Sequence, residues 1–292
     1  MTLLSSPQGT PERVWSLVAG LAALGGTSKR ATYDALLNPG FERDGAEIKA
    51  KTTLASDAHN AALSLALVDG ARDQVGLRAT LPGSFAGFAD LVHDRLIALA
   101  SGDGDAVILE GYAWIIAESD RQNGVEWIYQ AGREEFAEMA NAGLNGKDMN
   151  STKAVAWRRW LAFLGLGLPM PTERSAPNFP SPAIRILREL QRAEIAAGSP
   201  MSAAEFVALL ARRMPYLDRG RLFVQACQRI GHPAPTNRLS PLLSASLRDL
   251  HDDQSLRLVP SGDSADRVRL SEDASHGIDA FTTVIVFPRS AS

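Results

Sequence analysis

The chain has 292 residues, 45 % of them apolar and 22 % charged, with 24 glycines and 16 prolines. These proportions are ordinary for a globular protein and exclude wholesale disorder, a collagen-like repeat and a disulfide scaffold; the length allows about two domains. A net charge of −3 conceals an asymmetry: 12 Lys and Arg against 20 Asp and Glu up to Asn150 (−8), then 18 against 13 from Ser151 onward (+5).

Pro11 to Gly25 predicts a first helix. Proline suits the first helical position, Thr10 stands at the N-cap, and Gly25-Gly26 ends the run. Val14, Leu17, Val18, Leu21 and Leu24 recur at helical spacing and mark its inner face. Ser28 is expected to cap a second short helix that reaches Leu37 and stops at Asn38-Pro39-Gly40. A polar loop precedes a third helix from Thr52 to Leu67, with Leu54, Ala58, Ala61 and Leu65 inward. Leu67-Val68, a turn at Asp69-Gly70 and the alternation Val75 to Ala79 predict a hairpin. Three helices followed by a hairpin is the winged-helix order, in which the second and third helices form a helix-turn-helix and the hairpin forms the wing.

From Ser84 to about Pro171 the pattern is helical throughout. Phe85, Phe88, Leu91, Val92, Leu96 and Leu99 repeat at spacings of three and four, and Val107 to Ile116 is strongly apolar. A further amphipathic stretch carries Trp127, Phe136 and Met139. Ser151 caps a last helix to Leu164 that places Trp157, Trp160, Leu161 and Leu164 on one side, where core packing outweighs base stacking as the reading of the tryptophans. The proline-rich stretch Gly165 to Pro182 is the best domain boundary in the chain.

Helices restart at Pro182 to Ala196, Pro200 to Met214 and Asp218 to Ile230, the second opened by a capping box of Ser202 and Glu205. Ser240-Pro241 opens another helix, to about Leu250. Leu256 to Val259 alternates, Pro260 to Asp263 turns, and Arg267 to Leu270 alternates back, which predicts a second hairpin; Thr282 to Phe287 adds a β-branched run. The expected fold class is therefore mainly α, with two winged-helix units joined by a helical middle domain: 1–82, 83–171 and 172–292.

A winged helix places its third helix in the major groove and its wing on the backbone or minor groove. In the N-terminal unit the polar candidates for DNA contact are Lys49, Lys51, Thr53, Ser56, His59 and Asn60, with Asp57 opposing them. In the C-terminal unit they are Arg238, Ser240, Ser244, Arg248, Arg257, Arg267 and Arg269, partly cancelled by Asp249, Asp252 and Asp253. Arginine neutralises phosphate, and asparagine reads adenine with two hydrogen bonds. The basic half suits a polyanion and the acidic half a basic partner protein. Twenty-five of the thirty basic residues are Arg, which in an Ala-rich chain fits a GC-rich genome better than selection for phosphate.

Catalytic patterns are thin, and the expectation is no catalytic residue, no metal and no cofactor. The five histidines lack zinc-ligand spacing, and no phosphate loop is present. Asp44 with Glu47-Ile48-Lys49 is the best nuclease-like string, but it lies in a polar loop. Asp103 and Asp105 start like a calcium loop, yet the twelfth position is Trp114, so a surface turn is expected. Cys227 sits alone in an apolar helical run and is expected to be a buried small hydrophobe. The start of the chain shows no signal peptide and no apolar run reaches the length of a membrane span, so the expected location is the cytoplasm.

Several strings resemble the DpdG-type proteins of bacterial 7-deazapurine-in-DNA gene clusters. They are Val14 to Leu24 with Gly25-Gly26 and Arg30 to Leu37, then Asn150-Ser151-Thr152-Lys153, then Trp157 to Gly167, then Leu239 to Arg248 followed by a basic hairpin, and Ser275-His276. The resemblance implies a non-catalytic accessory component of a phage-defence or restriction module whose neighbours are helicase-like, nuclease-like and modification proteins. It carries over no site residues. The function expected is a DNA-associated adaptor that docks partner proteins and duplex DNA, without a membrane role. The alternative is a winged-helix transcriptional regulator, which would be a homodimer on half-sites about one helical turn apart.

Overall fold

The computed structural model describes residues 2–38, 53–70, 73–146, 149–168, 179–260 and 267–287. They are mainly helical with small sheets, and they form two compact units, Met1–Ile108 with Ser151–Leu164, and Leu109–Asn150 with Gly165–Ser292.

The first unit begins with a 3-10 turn, Leu3–Ser5, and helix α1, Pro11–Ala23. Helix α1 buries Pro11, Val14, Leu17, Val18 and Leu21, the expected stripe without its last member: Leu24 is 47 % exposed because the helix has already ended. Gly25 and Gly26 take φ of 89° and 82°, which L side chains adopt only with strain, and this turns the chain. Strand β1, Thr27–Lys29, follows directly. Ser28 lies in that strand, and the residue before helix α2, Arg30–Ala35, is Lys29. Ser28 is thus not the cap that its residue type suggests. Helix α3, Leu54–Ser64, buries Ala55, Ala58, Ala61 and Ala62. Strands β2, Val68–Gly70, and β3, Gln74–Leu77, pair antiparallel as expected, and β1 adds to the free edge of β3 to give the order β1-β3-β2.

Helix α4, Phe85–Ile97, is capped by Ser84, whose hydroxyl accepts from Gly87 N at 3.0 Å. Within this unit α4 and α1 pack with the helix Ser151–Leu164, and Trp15, Phe85, Phe88, Trp160 and Phe163 form an aromatic cluster. Trp157 is buried and donates its indole N–H to Ile108 O at 2.9 Å. Asp105 corrects an expectation. It is 5 % exposed rather than in a surface turn, accepts from Leu3 N at 2.7 Å and from the Ser64 hydroxyl, and so ties the chain start to the end of α3. Burial raises its pKa.

The second unit holds helix α5, Val107–Arg121, from Leu109 on, with α6, Glu126–Gln130, and α7, Arg133–Gly143. Trp114, Trp127 and Phe136 pack together. The helix of the first unit counted eighth in the chain is α8, Ser151–Leu164. Strands β4, Gly167–Leu168, and β5, Phe179–Pro180, pair across the proline-rich stretch. Then come α9, Ala183–Arg192; β6, Pro200–Ser202; α10, Ala203–Arg213; α11, Arg221–Arg229; and α12, Pro241–Asp252. The capping box forms: Glu205 N donates to Ser202 Oγ (3.2 Å), and Ser202 N donates back to Glu205 Oε2 (3.1 Å). Strand β7, Leu256–Val259, is followed by β8, Val268–Arg269, β9, Ala280–Phe281, and β10, Thr283–Val286.

The pairing here overturns the second predicted hairpin. Strand β7 pairs with β10, which also pairs with β6, so the sheet order is β6-β10-β7. Strand β8 pairs with β9 in a separate ladder. Strand β10 is the longer partner, a β-branched run that pairs with four residues of β7 and sets buried Val284 opposite buried Leu258. Both units nevertheless share one order. In each, a helix, a short strand and further helices precede the second and third strands of one sheet, and the third lies between the other two; in the second unit the β8–β9 ladder is inserted before the third.

Candidate functional site

The most developed polar site lies in the second unit, where β8 runs beside the segment before α12. Leu239 N donates to Arg269 O at 2.9 Å, and Leu270 N donates to Asp279 O at 2.8 Å. These backbone bonds set Arg238, Arg267 and Arg269 on the wall of a cleft of about 730 Å³, faced by Asn237, Glu272 and Asp279. Arg238 is held from behind: its Nη1 donates to the buried carboxylate of Asp120 at 2.5 Å and to Leu239 O at 3.2 Å. His232 Nε2 meets the other Asp120 oxygen at 2.7 Å. Arg267 and Arg269 are exposed, and neither has a carboxylate partner among the described residues.

Behind this wall Asp218 is fully enclosed. It accepts from Ser240 N at 2.6 Å and from the Ser240 hydroxyl at 2.7 Å. Burial dominates and pushes its carboxyl up to about 6, with the Asp120 charge adding to the shift and the Ser240 bonds opposing it. Cys227 is buried as expected; burial and the two aspartates push its thiol up to about 12, far from a reactive thiolate.

The structure sorts the sequence-derived contact residues by burial. Ser240 and Ser244 are fully buried, and Ser244 Oγ accepts from Ser271 N at 2.8 Å. Arg248 is 2 % exposed, and its guanidinium donates to Ser271 O (2.8 Å) and Ile278 O (3.0 Å), which staples the loop between β8 and β9 to α12. These three expectations of a displayed contact residue are corrected: their polar atoms are bonded to protein partners in the interior. Arg257 is exposed on β7, with its guanidinium 5.5 Å from the Phe287 ring centre. In the first unit His59 is buried against Tyr33, with Nδ1 3.4 Å from the phenol oxygen, so it too is corrected to a core residue. Burial, with a smaller push from Arg30, lowers its pKa to about 4. Thr53 and Ser56 are exposed at the start of α3, and Asn60 is half-buried. Lys49, Lys51 and the Asp44–Glu47–Lys49 string lie outside the described residues.

Sequence reasoning missed Asp120, His232 and Asp218. Asp120 and His232 are 112 positions apart, so no local spacing announces the pair. The cleft offers arginine forks that match phosphate or carboxylate bidentately, and the acids Glu272 and Asp279 line it as well and can act as acceptors.

Among the described residues no helix is long and apolar enough to cross a membrane. The described residues form a mainly helical protein with two three-stranded sheets and an arginine-lined cleft. A family model described as DpdG-like matches residues 1–264, and the chain belongs to the DpdG-like family. Membership associates it with the Dpd defence cluster. No curated protein and no solved structure matches the chain.

Proposed function

We propose that the chain is a non-catalytic, DNA-associated adaptor of that defence cluster, built on two winged-helix units and working in the cytoplasm beside helicase-like and nuclease-like proteins. The observation that carries this reading is the recurrence of one sheet order in both units: a strand, helices, then a second and a third strand with the third in the middle of the sheet, the β8–β9 ladder being inserted between the second and third in the second unit. That order is the one in which a helix is presented above a wing. Helix α12 would be the presented helix of the second unit, and its exposed positions Asp249, Asp252 and Asp253 are acidic. A major-groove reader with that face would repel phosphate, so the sequence-specific regulator is the weaker reading. DNA contact falls instead to the exposed Arg257, Arg267 and Arg269, which bind backbone rather than bases. The acidic N-terminal half docks a basic partner.

A titration of closed circular duplex against the full chain at several salt concentrations tests the DNA limb. Affinity should fall steeply with salt, and the pair of changes Arg267→Ala and Arg269→Ala should flatten the log–log slope by about 1.8, or 0.9 per lost phosphate contact. Salt-independent binding, or none at low salt, would remove DNA from the proposal.

A further inference from the structure

The cleft in the second unit has a size and a lining that a duplex does not need. Its volume, about 730 Å³, lies within the range of roughly 300–1,000 Å³ usual for small-molecule sites, whereas a duplex backbone is met by open surface. Its lining is also two-signed. Arg238, Arg267 and Arg269 supply guanidinium groups, while Glu272 and Asp279 supply carboxylates, and Asn237 supplies an amide. A bare anion would gain from the arginines and lose against the acids. A ligand that carries a phosphate at one end and hydroxyl or amine donors at the other satisfies both.

Preorganisation supports this. Arg238 is fixed by its bonds to Asp120 and to Leu239 O, so its guanidinium is positioned before any ligand arrives. Arg267 and Arg269 flank it from β8, whose backbone is bonded on one side to Leu239 and on the other to Asp279. Asp273, which also lines the cleft, is already engaged by Ser275, His276 and Arg248. Glu272 and Asp279 are exposed and have no ion pair among the described residues, so they are the acceptors left for a ligand. Among the described residues no aromatic ring lines the cleft, and the arginine planes and the hydrogen-bonding groups are the recognition elements they supply.

We propose that this cleft binds a single nucleotide unit, with its phosphate on Arg238, Arg267 and Arg269 and its sugar hydroxyls or base amines on Glu272 and Asp279. The same chemistry comes from a free nucleotide or from a phosphorylated DNA end. This rests on the reading of Arg267 and Arg269 as phosphate-binding residues in the proposed function, and narrows it from backbone at large to one nucleotide.

Calorimetric titration of the full chain with inorganic phosphate, the four deoxynucleoside 5′-monophosphates and a 5′-phosphorylated single strand tests it. At least one mononucleotide should bind about tenfold or more tighter than phosphate, and Arg269→Ala should weaken it about tenfold. Arg269 is exposed and its strand is held through backbone atoms, so this change leaves the fold intact, which a thermal melt verifies. Asp279→Asn and Glu272→Gln should bring nucleotide and phosphate to within about threefold of each other, because the donor groups lose their charged acceptors. Binding of the 5′-phosphorylated strand, lost in its unphosphorylated counterpart and not competed by closed circular duplex, assigns the source to DNA ends even if no mononucleotide binds; binding of a mononucleotide alone assigns it to free nucleotide; both support the cleft. Equal binding of nucleotide and phosphate, or none, overturns it. If closed circular duplex still binds in a manner sensitive to Arg269→Ala while neither the mononucleotides nor the 5′-phosphorylated strand bind or compete, the nucleotide proposal fails and the DNA reading stands. If nothing binds, both fail.

Discussion

Two buried titratable residues pull stability in opposite directions with pH. Asp218 has its carboxyl pushed up to about 6 by burial, so the folded chain holds that proton more tightly than the unfolded chain does. Its contribution therefore costs stability at pH 7 and above, and the cost is relieved as pH falls through 6 toward the unfolded value near 3.9, by an amount on the order of 2–3 kcal/mol. His59 works the other way: lowered to about 4, it is held neutral, and stability is lost as pH falls from about 6.5 through 4. Denaturant melts at pH 7.5 and 5 should show that Asp218→Asn loses the gain on acidification while His59→Leu gains relative to the parent at pH 5. Identical pH profiles in parent and Asp218→Asn would contradict the assignment. Gly143 shows sterics overruling propensity. In a helix, Ala for Gly is worth about 1 kcal/mol, but a Cβ there would lie 2.0 Å from Trp114 Nε1. Gly143→Ala should thus lower the melting temperature, with a cost of about 1–3 kcal/mol, as overpacking usually brings.

At the scale of elements, the helices follow from local chemistry. Ser84, Ser202 and Ser240 each accept from a backbone N–H in the first turn of α4, α10 and α12, and Pro11 and Pro241 occupy first helical positions. Ser202→Ala should cost about 1 kcal/mol, read in a urea melt, because it removes the hydroxyl that accepts from Glu205 N and donates to the Glu205 carboxylate. Strands were harder to read. The Thr-Ser-Lys run of β1 has three polar residues and no alternation, and it becomes a strand only because the edge of β3 offers unpaired backbone groups. Strand β10 is central in its sheet, between β6 and β7. Truncation after Thr282 removes it and leaves two edges without their shared partner, so the second unit should lose protection in limited proteolysis while fragments of the first unit persist. A truncated chain as resistant as the full one would show that β10 is dispensable.

For the whole molecule, the sequence alone determined the mainly helical class, the apolar faces of the long helices, the burial of Trp157, Trp160 and Cys227, the first hairpin, and the resemblance that the family match to residues 1–264 bears out. These are local properties: a helix repeats every few residues, and a cap acts within one turn. Tertiary structure alone decided that β7 would pair with β10 rather than with β8, since competing strands of similar alternation are separated only by the burial each gains. It alone decided which arginines face water. Arg248 and Arg269 are of one residue type in one basic tail, yet Arg248 is buried to staple the loop between β8 and β9, while Arg269 opens on the cleft. Charge is written in the composition, but access to it is set by what packs above each side chain, and residues as far apart as Asp120 and His232 meet only when the chain has closed on itself.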